Sequence, residues 1–129
     1  MITGFEEYTD ELSALERDHI MEILKDALLL TDKERPLNNH ELKRIVQTTE
    51  LNTSAPRIRH MIHVLRVTDA IPCLVANSKG YYITKDRQEL ENYKQSLDDR
   101  LRSIYNVRRS IKRQLKALSQ SAVQQRLFE

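Results

Sequence analysis

Cysteine, glycine, proline and tryptophan are all scarce in this 129-residue chain, and each shortage closes off a class of protein. The one cysteine, Cys73, excludes an intramolecular disulfide, and the apolar stretch around it predicts a buried thiol in a reducing compartment. Gly4 and Gly80 are the only glycines, so no glycine-rich phosphate loop can be assembled, and no Gly-x-Ser-x-Gly elbow occurs. No paired-carboxylate site stands out. His60 and His63, at i and i+3, invite a metal reading with Cys73, but no quartet with zinc-site spacing accompanies them. Metal, cofactor and enzymatic activity are therefore not expected. No apolar run approaches the length of a membrane span, and Met1-Ile-Thr-Gly lacks the basic start and apolar core of a signal peptide. A cytoplasmic protein with no membrane partner is expected.

What is present is charge, unevenly placed. The formal net charge is only +2, yet residues 1–50 hold 6 basic and 12 acidic side chains, residues 51–85 hold 5 and 1, and residues 86–129 hold 10 and 6. The positive field belongs to the second half. The length suits one domain of modest size with an extension.

Residues 1–13 carry Phe5 and Tyr8 among acids, too short for a domain, and read as an arm packed on the body or on a partner. Ser13-Ala-Leu-Glu16 is a capping box that opens a first helix, with Ile20, Ile23, Leu24, Ala27 and Leu28 on its buried stripe to about Leu30. Thr31 to Pro36 breaks it. A second helix starts at the cap Asn38, where Glu41 completes the box and Leu37 with Leu42 forms a hydrophobic staple. Leu42, Ile45 and Val46 face its core side. The short connection Thr48–Asn52, in which Leu51 plugs the angle between crossing helices, has helix-turn-helix spacing. A plain helical bundle would also have short polar connections.

The third helix and the segment after it decide between these readings. Ser54 or Thr53 caps the helix, Pro56 sits in its first turn, and Ile58, Met61, Ile62 and Leu65 form one stripe. Projection at about 100° per residue puts His60 and His63 opposite that stripe, with Arg57, Arg59 and Arg66 on its flanks. Free amides at the helix start would also suit a phosphate. Ile71–Ala76, the turn residues Asn77-Ser-Lys-Gly80 and Tyr81–Thr84 then read as a hairpin, with Gly80 in a left-handed conformation. A basic helix followed by Ile-Pro, seven residues and Gly-Tyr-Tyr-Ile resembles helix 3 and the wing of a winged helix-turn-helix domain, over residues 14–85. The resemblance implies duplex DNA as partner. Ser54, Arg57, Arg59, His60, His63 and Arg66 would then enter or border the major groove, and Lys79 and Tyr81 would meet the backbone from the wing.

From residue 86 to 118 a long helix is expected. Leu90, Leu97, Ile104, Ile111 and Leu118 recur every seven residues, with Tyr93, Leu101, Val107 and Leu115 between them. That is the period of a left-handed coiled coil, and Leu90, Leu97, Leu101, Ile104, Ile111, Leu115 and Leu118 make a homodimer seam. Packing against the first helix of the same chain is the alternative. No acid lies between Asp99 and Glu129, so this basic run either is a solvated face or reaches phosphates. The remaining residues, 119–129, lose the heptad and read as a flexible tail. Its Gln124-Gln-Arg-Leu-Phe128 resembles the pentapeptide by which bacterial replication and repair proteins dock on the sliding clamp, which assigns contacts to Gln124, Leu127 and Phe128.

The fold expected is thus mainly α with a small β-hairpin wing, a winged helix-turn-helix followed by a long, coiled-coil-like C-terminal helix. The function expected is a sequence-specific or general duplex-DNA-binding protein of bacterial or phage type, a transcriptional regulator acting as a dimer in a bacterial cell or phage-infected host. The alternative is a replisome-associated interaction module that docks on the sliding clamp through its tail.

Overall fold

A computed structural model describes residues 11–128. The arm expected over residues 1–13 lies mostly outside them. Residues 14–29 form α1, in which the π-helical turn Glu16–Ile20 runs into the α-helical Met21–Leu29. Next come α2 (Asn39–Gln47), α3 (Ala55–Val67), the antiparallel strands β1 (Leu74–Asn77) and β2 (Gly80–Ile83), and α4 (Arg87–Phe128). The protein is mainly α with one hairpin and a long C-terminal helix. Among the described residues no helix is long and apolar enough to cross a membrane.

Both capping boxes form. The Ser13 hydroxyl accepts from the Glu16 amide at 3.1 Å while the Ser13 amide donates to Glu16 Oε1 at 3.0 Å. At α2 the Asn38 side chain accepts from the Glu41 amide at 2.8 Å, and the Asn38 amide donates back at 3.2 Å. Each box satisfies two amides that a helix start leaves unpaired. The stripes then meet. Ile20, Leu24 and Leu28 of α1, Leu42 and Val46 of α2, and Ile58, Met61, Ile62 and Leu65 of α3 form one buried cluster, joined by Ile71 and Leu74. Leu51 packs on this core from the α2–α3 connection.

The hairpin pairs Leu74 with Ile83, Val75 with Tyr82, Ala76 with Tyr81 and Asn77 with Gly80. It starts later than the apolar run because Cys73 has φ +58°, a left-handed conformation that interrupts extended backbone. Cys73 is exposed, which corrects the expectation of a buried thiol. The residues on either side of it in the core, Ile71 and Leu74, take the inward positions.

A third piece of chain joins the hairpin. The Leu37 amide donates to the Tyr81 carbonyl at 3.0 Å, and the Tyr81 amide donates to the Leu37 carbonyl at 2.8 Å. Gly80 makes this approach feasible. Its φ is +135°, and a Cβ there would lie 2.5 Å from the carbonyl carbon and oxygen of Leu37. Thr31, just after α1, adds a second tie, its hydroxyl donating to the Leu28 carbonyl at 2.6 Å and accepting from the Ile83 amide at 3.2 Å. The hairpin is thereby held by backbone bonds to the segment between α1 and α2 as well as by its apolar face.

The described residues divide into two units, one ending at Leu90 and the other beginning at Glu91. The heptad fades after Leu118, yet α4 continues to Phe128, which corrects the expectation of a flexible tail from residue 119. The physical reason lies in what those residues lack. Ser119–Phe128 has no glycine or proline, and its three Gln with single Ala, Arg and Leu residues favour helix, so helix propagates where the seam has ended.

Candidate nucleic-acid interface

The first turn of α3 is fixed from both sides. Ser54 has extended backbone, its hydroxyl accepts from the Arg57 amide at 3.3 Å, and Pro56 occupies a position where no amide is needed. The Ser54 side chain therefore caps α3. Asn39, at the start of α2, donates from Nδ2 to the Ala55 carbonyl at 3.3 Å and ties the two helix starts together.

Arg57, unlike Arg59, is folded against the start of α1 and largely shielded from water. Its Nε donates to Glu16 Oε2 at 2.9 Å and its Nη2 to Glu16 Oε1 at 2.9 Å, with a further bond of 3.1 Å from Nη2 to the Glu11 carbonyl. Both side chains of this pair are only 12% exposed. The planar guanidinium meets the carboxylate fork to fork, which gives the strongest geometry available to an ion pair. These bonds, with those from Ser13 and against the cost of burial, hold the Glu16 carboxyl below its ordinary range. One carboxylate thus closes the cap of α1 and fastens α3 to it.

The pair also shapes its neighbour. His60 is half-buried, and burial first, then the positive charge of Arg57 and of His63, lowers its pKa against a smaller pull from Glu16. His60 thus lies beside an arginine whose charge is paired with Glu16. Of the residues assigned to this face, Arg59 and His63 are exposed and Arg66 is half-buried. At the hairpin tip Lys79 is exposed, its amide bonded to Asn77 Oδ1 at 2.8 Å. Tyr81 is half-buried against the core, and its backbone serves the pairing with Leu37. The exposed set is Arg59, His63 and Lys79. Nothing in the helical periodicity signalled the loss of Arg57, because its partner lies 41 positions away on another helix.

A second polar cluster anchors the beginning of α4. The Tyr82 hydroxyl donates to Glu89 Oε1 at 2.5 Å, and Lys33 reaches Glu89 Oε2 at 3.3 Å. The bond to Glu89, with burial, pushes the Tyr82 phenol up to about 12, while the Tyr82 and Lys33 contacts hold the Glu89 carboxyl down. These contacts bracket the hairpin against the start of α4. Among the described residues no group of three or more His, Cys, Asp or Glu side chains is placed to hold a metal ion.

Along α4 the expected seam residues Leu97, Leu101, Ile104, Ile111, Leu115 and Leu118 are all exposed in the single chain, Leu101 at 67% and Leu118 at 68%. Leu90 is half-buried. Arg108, Arg109, Lys112, Arg113 and Lys116 follow Tyr105 along a basic stretch, with the Arg109 guanidinium 5.8 Å from the Tyr105 ring centre. Gln124, Leu127 and Phe128 fall within the helical span. Comparison with family models, with characterised proteins and with solved structures gives no match for this chain.

Proposed function

We propose that this chain is a winged helix-turn-helix protein that binds duplex DNA as a homodimer, in the manner of a bacterial or phage transcriptional regulator working in the cytoplasm. The observation that carries the reading is the exposure of Arg59 and His63 on the helix that precedes the hairpin, with Lys79 exposed at the hairpin tip. Supporting it is the order of elements. Three helices precede a two-stranded antiparallel hairpin, and an isolated backbone bridge from Leu37 to Tyr81 ties the segment between α1 and α2 to that hairpin. In that arrangement α3 is the helix offered to a groove and the hairpin the element beside it.

Phosphate contacts supply most of the affinity in this reading, and Arg59 is the residue best placed to read a base edge. The Glu16 carboxylate is engaged by Arg57, so its charge is paired where it meets α3. Dimerisation follows from the apolar stripe of α4, which in one chain faces water along several turns. The test is a fluorescence anisotropy titration of a labelled duplex with the parent protein and with Arg59→Ala combined with His63→Ala. The double variant should bind at least about tenfold more weakly with an unchanged unfolding midpoint. Equal affinity would remove α3 from the interface.

A further inference from the structure

We infer that two copies of this chain pair through α4 in antiparallel orientation, with the acidic beginning of one helix beside the basic end of the other. The inference rests on the dimer reading above and adds to it the direction and register of pairing.

The seam is built of two series of positions. One holds Leu97, Ile104, Ile111 and Leu118, apolar throughout; the other holds Lys94, Leu101, Arg108 and Leu115, in which cations alternate with leucines. A parallel pair in register brings each position against its own copy. Lys94 would then face Lys94 and Arg108 would face Arg108 inside the seam, two like-charge contacts removed from water. It would also lay residues 100–128 against themselves, a stretch with eight basic side chains and no acid.

Antiparallel pairing turns each series to face the other. A single register then sets Leu101 opposite Ile111, Leu97 opposite Leu115, Arg108 opposite Ile104 and Lys94 opposite Leu118, and every one of these pairs occurs twice by symmetry. No cation meets a cation in the seam. Arg108 and Lys94 lay their apolar stems over an aliphatic partner while their charged ends reach the flank. Lys94 already has a partner there, with Nζ 3.2 Å from Asp98 of its own helix.

Charge on the flanks agrees. Asp98 and Lys112 occupy equivalent flanking positions, which face one another only when the helices run in opposite directions. Glu91, Asp98 and Asp99 lie at the end of the helix that such a pair sets alongside the basic residues of its partner. With a rise of about 1.5 Å per residue, this register separates the two Arg87 positions by about 57 Å along the axis.

Oxidative cross-linking of single-cysteine variants, combined with sedimentation, tests the orientation. Cys73 is exposed and is first replaced in a C73S background. In the antiparallel register Leu97 of each copy lies about 27 Å from its equivalent but directly opposite Leu115. An equimolar mixture of L97C and L115C chains should therefore form a disulfide-linked heterodimer, and L97C alone should not. A disulfide dimer of L97C alone would overturn the orientation while leaving a dimer in place, and a monomer by sedimentation at high concentration would overturn the pairing altogether. As a second readout, D98K should raise the dimer dissociation constant about tenfold and D98K/K112D should restore it to within about threefold. Failure of the double variant to restore pairing would contradict the register. DNA affinity is measured separately, so neither outcome is confused with failure of α3 as the binding element.

Discussion

Replacing Arg57 with alanine separates the two roles that a basic residue on α3 can have. In the structure the side chain makes two charge-assisted bonds to Glu16 and one to the Glu11 carbonyl, and it is mostly buried. Hydrogen bonds to charged groups contribute about 1.5–3 kcal/mol each when one partner is removed, but Glu16 keeps the Ser13 amide and gains access to water. The net cost is expected near 2 kcal/mol. For a unit of this size that lowers the thermal midpoint by roughly 10 °C. Urea unfolding followed by circular dichroism, with Glu16→Gln and the double variant completing a cycle, should give a coupling of about 1–2 kcal/mol between the two residues. The pair also has a pH signature. Its bonds lower the folded pKa of Glu16 from an ordinary value of 4.5, so its contribution is complete above about 4.5 and is lost as pH falls through the lowered folded value. Arg57→Ala should flatten that acid limb. A midpoint shift under about 2 °C together with a large loss of DNA affinity would refute the clamp and return Arg57 to the groove face.

Gly80→Ala drives a Cβ to 2.5 Å from the Leu37 backbone at φ +135°, and a loss of about 3 kcal/mol or more is expected in urea unfolding. A change within experimental error would mean that Leu37 does not pair with Tyr81. Tyr82 should titrate near 12 in an ultraviolet absorbance titration, and Tyr82→Phe should remove that phase. Because the folded value is raised, the Tyr82 contribution is full below the unfolded value of about 10 and is lost as pH rises towards 12. Ile104→Asp combined with Ile111→Asp should convert a dimer to a monomer by sedimentation while the circular dichroism unfolding of residues 11–90 is retained. A variant still dimeric would move the interface off α4.

Elements with a local cause were legible in the sequence. The boxes at Ser13 and Asn38 are spacing signals whose partners lie three residues away, and both form with reciprocal bonds. The stripes of α1, α2 and α3 supplied the core because each helix is amphipathic in its own right. Contacts set by how helices cross were not legible. Helical projection places His60 opposite the buried stripe and Arg57 on its flank, yet in the fold His60 is half-buried and Arg57 is paired with Glu16 of α1. Cys73 sits in an apolar run and would be inward in a continuous strand; its left-handed backbone turns it out. The end of α4 has a different cause. Loss of an apolar seam removes a packing partner, not the propensity to be helical, and no stop signal precedes Phe128.

Duplex DNA binding is the claim on which the functional account depends, and its salt dependence tests it most directly. Anisotropy of a labelled duplex of random sequence, titrated with the full chain at two salt concentrations, reports both affinity and the number of phosphates neutralised. With Arg59, Lys79 and their copies in a second protomer engaged, log K should fall with log salt at a slope of about −3 to −4. Absence of binding at the lower salt concentration, or binding that does not change with salt, would contradict the account.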